Sequence, residues 1–127
     1  MARQRDGDRE GANLRRDPVA GVERDNGTSV VRLAGELDLY NAEVVREALF
    51  AAAAEEPERL VVDLSEVQFV DSTALGVLIE ARSKLANRQA FLLAAPGLET
   101  RRALEISGLD RHFAIHPTVD AALGAKL

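Results

Sequence analysis

The 127-residue chain contains no cysteine and no tryptophan, and its aromatics are four phenylalanines and one tyrosine. Lack of cysteine removes disulfides and thiolate metal ligands and fits a reducing compartment. Only two histidines are present, His112 and His116. Their spacing would suit a metal pair on a helix, but Phe113 to Ile115 reads as strand and Pro117 follows. No H-E-x-x-H, Walker-type glycine loop, G-x-G-x-x-G or G-x-S-x-G occurs. A serine nucleophile therefore has no evident base. These absences predict no catalytic residue, no metal, no cofactor and no enzymatic activity. Basic charge is also short, with 16 Lys and Arg against 21 Asp and Glu and a net charge of −5. A direct nucleic-acid binder ordinarily carries a basic face. No apolar run approaches the ~20 residues that span a bilayer. The stretch Met1 to Asp6 has no apolar signal core. The expectation is a cytoplasmic protein without a membrane span.

What is present suits a single α/β domain. Hydrophobic residues make up 46% of the chain, ordinary for a globular protein, and this length buries a core without staples. Residues 1–18 are almost free of large apolar side chains, Leu14 excepted, and alternate Arg with Asp and Glu. Such a segment cannot offset its ordering entropy, so it is expected to be a disordered tail before a domain over residues 19–127. Val19 to Arg24 and Ser29 to Gly35 read as strands, joined by the hairpin signal Asp25-Asn26-Gly27. Val31 and Leu33 alternate with Arg32 and Ala34, which predicts one buried face. Val44, Val45, Ala48, Leu49 and Ala52 then recur at helical steps after a candidate N-cap, Asn41. Arg59 to Leu64 and Gln89 to Ala95 read as central strands. Between them a helix carries Leu75, Leu78, Ile79, Arg82 and Leu85 along one face. Leu98 to Ile106 is helical and stops at Ser107-Gly108. Phe113 to Ile115 is a short strand, and Thr118 caps a last helix bearing Val119, Ala122 and Leu123. The predicted order β-β-α-β-α-β-α-β-α requires a mixed sheet of about five strands with about four helices.

Two segments hold the candidate site. In Phe69-Val70-Asp71-Ser72-Thr73-Ala74-Leu75-Gly76 a strand runs through three polar residues into an apolar helix. Asp71 is the expected N-cap and Ser72 the first helical residue. A hydroxyl there faces the positive end of the helix, where a phosphate is tolerated. The same run is also an ordinary capping sequence. Gly76 costs ~1 kcal/mol relative to alanine inside a helix, which points to a close neighbour in the fold or in a complex. In Leu33-Ala34-Gly35-Glu36-Leu37-Asp38, Gly35 suits a bend or bulge. Asp38 reads either as a turn aspartate or as a site residue at the sheet edge that holds Ser72. Paired carboxylates can bind Mg²⁺, but Asp63 reads better as a strand end and Asp71 as a cap.

The pairing of L-x-G-E-L-D with a downstream F-V-D-S-T-A-L-G resembles the STAS domain of anti-sigma factor antagonists. Ile106-Ser107-Gly108-Leu109, followed by Phe113 and Ile115, is similar to that family's closing region. The resemblance spans roughly Val19 to Leu123. It implies a protein that binds an anti-sigma factor serine-protein kinase of the histidine-kinase-like ATPase fold and so frees a sigma factor for transcription. It implies phosphorylation of Ser72 by that kinase, loss of binding on phosphorylation, and resetting by a PP2C-type metal-dependent phosphatase. Asp38 and Asp71 match the acids flanking the serine, and Thr73 matches the neighbouring hydroxyl. The expected partner surface is Asp38, Asp71, Ser72, Thr73, Leu75 and Gly76. Ala74 stands where the family often has glycine, a methyl placed to crowd a partner. Other readings are a STAS subunit of a lipid or anion transport complex, docking an ATPase or membrane partner without phosphate cycling, and a regulator that binds constitutively. A nucleotide-hydrolysing enzyme using Asp38 and Asp71 is a third, without a phosphate loop to support it.

Overall fold

The computed structural model describes residues 16–127. The expected tail falls mainly on residues 1–15, outside the described residues. Five strands form one sheet in the order β1-β2-β3-β4-β5: Val19–Asp25, Thr28–Leu37, Arg59–Val70, Phe91–Ala94 and Ala114–His116. The first pair is antiparallel and the others are parallel. Among the described residues, four helices follow strands 2 to 5: α1 (Ala42–Ala54), α2 (Ser72–Ser83), α3 (Leu98–Ile106) and α4 (Val119–Gly124). The element order is the one the sequence pattern predicts.

The hairpin forms because Asn26 and Gly27 take φ of 52° and 83°. Two consecutive left-handed residues make the turn whose twist matches the flanking strands. Gly35, at φ 79°, sits where the β2–β3 register slips. Strand order then decides where the helices lie. The strands advance steadily across the sheet, so right-handed crossovers deliver α1, α2 and α3 to one face. Accordingly Val45 and Leu49 of α1, Leu78 of α2 and Leu104 of α3 share one core cluster with Leu33, Leu60, Val62 and Phe91. The opposite face is left to α4, where Ala122 packs on Val61, Leu92 and Ala94.

Several local expectations are corrected. β3 does not end at Leu64 but continues to Val70, because β2 remains its partner after β4 stops opposite Asp63. Asp63 therefore lies within a strand, buried, with its carboxylate accepting from Ser65 N–H at 2.9 Å. β4 is shorter than expected because residues 88–90 form a 3-10 turn. The last strand begins at Ala114 rather than Phe113. Val44 is 47% exposed, since the buried stripe of α1 runs through Ala42, Val45, Leu49, Ala52 and Ala53. On α2 the buried stripe is Ala74, Leu75, Val77, Leu78 and Ala81, and Ile79 faces outward.

Candidate functional site

β2 and β3 run parallel with Leu37 paired to Val70, so the residues after each strand emerge side by side. Asp71 N–H donates to the Leu37 carbonyl at 3.0 Å. The Asp71 backbone is extended, which frees its side chain to cap α2. Its Oδ1 accepts from Ala74 N–H at 2.9 Å, and its Oδ2 accepts from Leu39 N–H at 3.1 Å. One carboxylate thus holds both the start of α2 and the loop that follows β2. The capping prediction for Asp71 is met, and the second bond is a tertiary one that local sequence does not show.

Asp38 lies in that same loop, half-buried, and its Oδ1 accepts from Tyr40 N–H at 3.0 Å. The N–H of Asp38 donates to Asn41 Oδ1 at 2.9 Å, and Asn41 Nδ2 donates to the Glu36 carbonyl at 2.8 Å. Asn41 occupies the N-cap of α1, yet its side chain turns back into the loop and does not cap the helix. The loop is braced from within by these bonds and from without by Asp71. Further along, Arg46 of α1 joins the helices through Nη2 to Glu80 of α2 at 2.7 Å, and its Nη1 also pairs with Glu43 of its own helix. The Glu80 hydrogen bond, then that of Glu43, raises the guanidinium pKa above its ordinary value.

Ser72 and Thr73 are exposed at the first two positions of α2. Ser72, Gly76, Ile79 and Ser83 fall at helical steps along its outward side. An added Cβ on Gly76 would meet nothing within 4 Å. The fold itself therefore does not require glycine there. Leu75, expected among the partner contacts, is instead 8% exposed and belongs to the core, where it seats the helix. Ala74 is 2% exposed, so its methyl fills the core and cannot crowd a partner.

Residues not singled out from the sequence complete the surface. Leu39 and Tyr40 are 60% and 81% exposed in the loop held by Asp71, and Phe69 is exposed two residues before it. Their signal was two large apolar side chains directly after Asp38, in a segment too short to belong to a helix or strand. The corner presents the exposed hydroxyls of Ser72 and Thr73 at the helix start, with exposed Leu39, Tyr40 and Phe69 on the adjoining segments.

A family model for the STAS domain matches residues 20–122. The chain belongs to the STAS domain family. Within it, the anti-sigma-F factor antagonist RsfB of Mycobacterium tuberculosis is 37% identical over 98 residues, covering 77% of this chain and 80% of RsfB. The anti-sigma-B factor antagonist of Listeria monocytogenes is 43% identical over 89 residues, covering 68% and 77% of the two chains. The crystal structure of an anti-sigma factor antagonist from Mycobacterium paratuberculosis superposes with a TM-score of 0.75 at 40% identity. That match covers 80% of this STAS chain and 87% of the other.

Proposed function

We propose that this STAS domain is an anti-sigma factor antagonist working by binding alone. Its unphosphorylated form binds an anti-sigma factor serine kinase, frees the sigma factor, and is switched off when the kinase phosphorylates Ser72. A PP2C-type phosphatase restores the binding form. The observation that carries the reading is the exposed Ser72 at the start of α2, locked by Asp71 beside exposed Leu39, Tyr40 and Phe69.

The unmodified hydroxyl rests against a partner as a small neutral group. A phosphate adds about −1.5 to −2 charge at a helix start, which accepts it without disturbing the fold. In the complex that charge must be desolvated among apolar side chains. Disrupting a buried polar contact at an interface costs ~2–5 kcal/mol, roughly 30-fold to several-thousand-fold in affinity. The uncapped surface of Gly76, one turn further on, lets a partner approach the helix backbone. Asp38 contributes by shaping the loop that carries Leu39 and Tyr40.

The test is affinity capture from host lysate with ATP and Mg²⁺, using wild type and Ser72→Asp as baits. A histidine-kinase-like ATPase held by wild type and lost with Ser72→Asp supports the proposal, together with phosphate found on Ser72 by mass spectrometry. Transporter subunits held equally by both baits would replace it with the transport-complex reading. The ATPase held equally by both would make the protein a constitutive binder.

A further inference from the structure

Positive charge gathers at the end of the fold remote from Ser72. A cleft of about 410 Å³ opens where β4 and β5 begin. Arg82 reaches it from the last turn of α2, Arg88 from the turn into β4, and Arg111 from the turn into β5. His112, His116 and Lys126 add to the cationic and titratable lining, no acidic side chain takes part, and Leu127 with its α-carboxylate also borders the cleft. Both histidines of the chain are therefore in one cleft, with four cations, in a protein of net charge −5. The ion pairs of the described residues are made by Arg16, Arg32, Arg46 and Arg102 instead.

We propose that this cleft binds a small ligand carrying two or more phosphates. Like charges around a concave surface repel one another when it is empty, and a polyanion reverses that repulsion. Arginine forks match phosphate oxygens in pairs, which selects phosphate over a simple monovalent anion. The volume lies within the range of small-molecule sites, about 300–1,000 Å³. The ring of the exposed His112 stands edge-on to the buried Phe113, with centroids 5.0 Å apart, which steadies an imidazole at the mouth. An inorganic polyphosphate and a nucleotide share the recognised chemistry. They differ in whether a base adds to it.

Calorimetric titration of the full chain at low salt, with tripolyphosphate, ATP and orthophosphate, tests the site. The expected result is saturable binding of tripolyphosphate, weakened by added salt, and far weaker binding of orthophosphate. Arg88→Glu/Arg111→Glu is expected to lose at least about tenfold in affinity with an unchanged melting temperature. A control, Arg24→Glu/Arg101→Glu, changes the charge equally at exposed positions outside the cleft and is expected to bind as wild type. ATP binding more tightly than tripolyphosphate would identify a nucleotide, and equal affinity a plain polyphosphate. No saturation by about 1 mM, or equal loss in both double variants, would overturn the proposal. None of these readouts depends on Ser72 or on a protein partner.

Discussion

At the scale of single residues, Asp71 carries the most structural weight at the corner. Asp71→Ala removes the cap of α2 and the bond to Leu39 together. A lost cap costs about 0.5–2 kcal/mol and the second bond about 1 kcal/mol more. Chemical denaturation is expected to show a loss of about 2 kcal/mol, with little change in the denaturant slope. Ser72→Asp is expected to behave otherwise. Its side chain is exposed at a helix start, so stability should stay within about 0.5 kcal/mol of wild type while partner binding disappears. A large fall in stability would mean that lost binding reports unfolding. Gly76→Ala separates the two properties most cleanly. The free protein should gain up to ~1 kcal/mol, since alanine favours helix and the added methyl meets no neighbour. Partner affinity should fall, because that methyl stands on the outward stripe. A stabilised variant that binds normally would remove Gly76 from the interface.

At the scale of elements, the β1–β2 hairpin shows local chemistry prevailing. Its turn needs left-handed backbone at Gly27, and a Cβ there would also come 3.0 Å from the Glu58 carboxyl carbon. Gly27→Ala should therefore destabilise by about 1–2 kcal/mol, measurable as a lower denaturation midpoint. The helices illustrate the opposite influence. Val44 and Ile79 both fit an apolar helical stripe, yet both face outward. Periodicity places a residue within about a third of a turn, and the sheet beneath decides which of two adjoining apolar positions is covered. The strands show it again. Ser65 and Glu66 interrupt the apolar pattern of β3, but β2 runs alongside and holds the backbone extended to Val70.

At the scale of the whole molecule, burial is unequal on the two faces of the sheet. Three helices cover one face, and the six-residue α4 covers the other through a small cluster around Ala122. Opening α4 exposes little apolar surface, so its amides should exchange with solvent through local opening, well before those of β3. Hydrogen exchange by NMR checks this, and equal protection of α4 and β3 would show a single cooperative unit. Leu104 is fully buried and joins α3 to the main cluster. Leu104→Ala should cost about 2–5 kcal/mol in denaturant melts. The two ends of α2 also belong to separate surfaces about 15 Å apart, at 1.5 Å per residue. Ser72 begins the helix and Arg82 lines the cationic cleft.

The sequence by itself determined whatever depends on near neighbours in the chain. The alternation of strands and helices, the Asn26-Gly27 turn and the caps at Asp71 and Thr118 are set by backbone preference and hydrogen bonds spanning a few residues. So was Ser72 as the first residue of α2, which follows from the Asp71 cap. Tertiary structure decided what depends on residues distant in sequence. The Asp71 bond to Leu39 spans 32 positions and exists because parallel pairing brings the ends of β2 and β3 together. That pairing turns two separate motifs into one corner and leaves Leu39, Tyr40 and Phe69 exposed around it. Packing sent Leu75 and Ala74 inward and left Gly76 outward. It also gathered Arg82, Arg88, Arg111 and Lys126 from four separate segments into one cleft. Such long-range encounters follow from sheet order and helix packing, which the chain settles only as it folds.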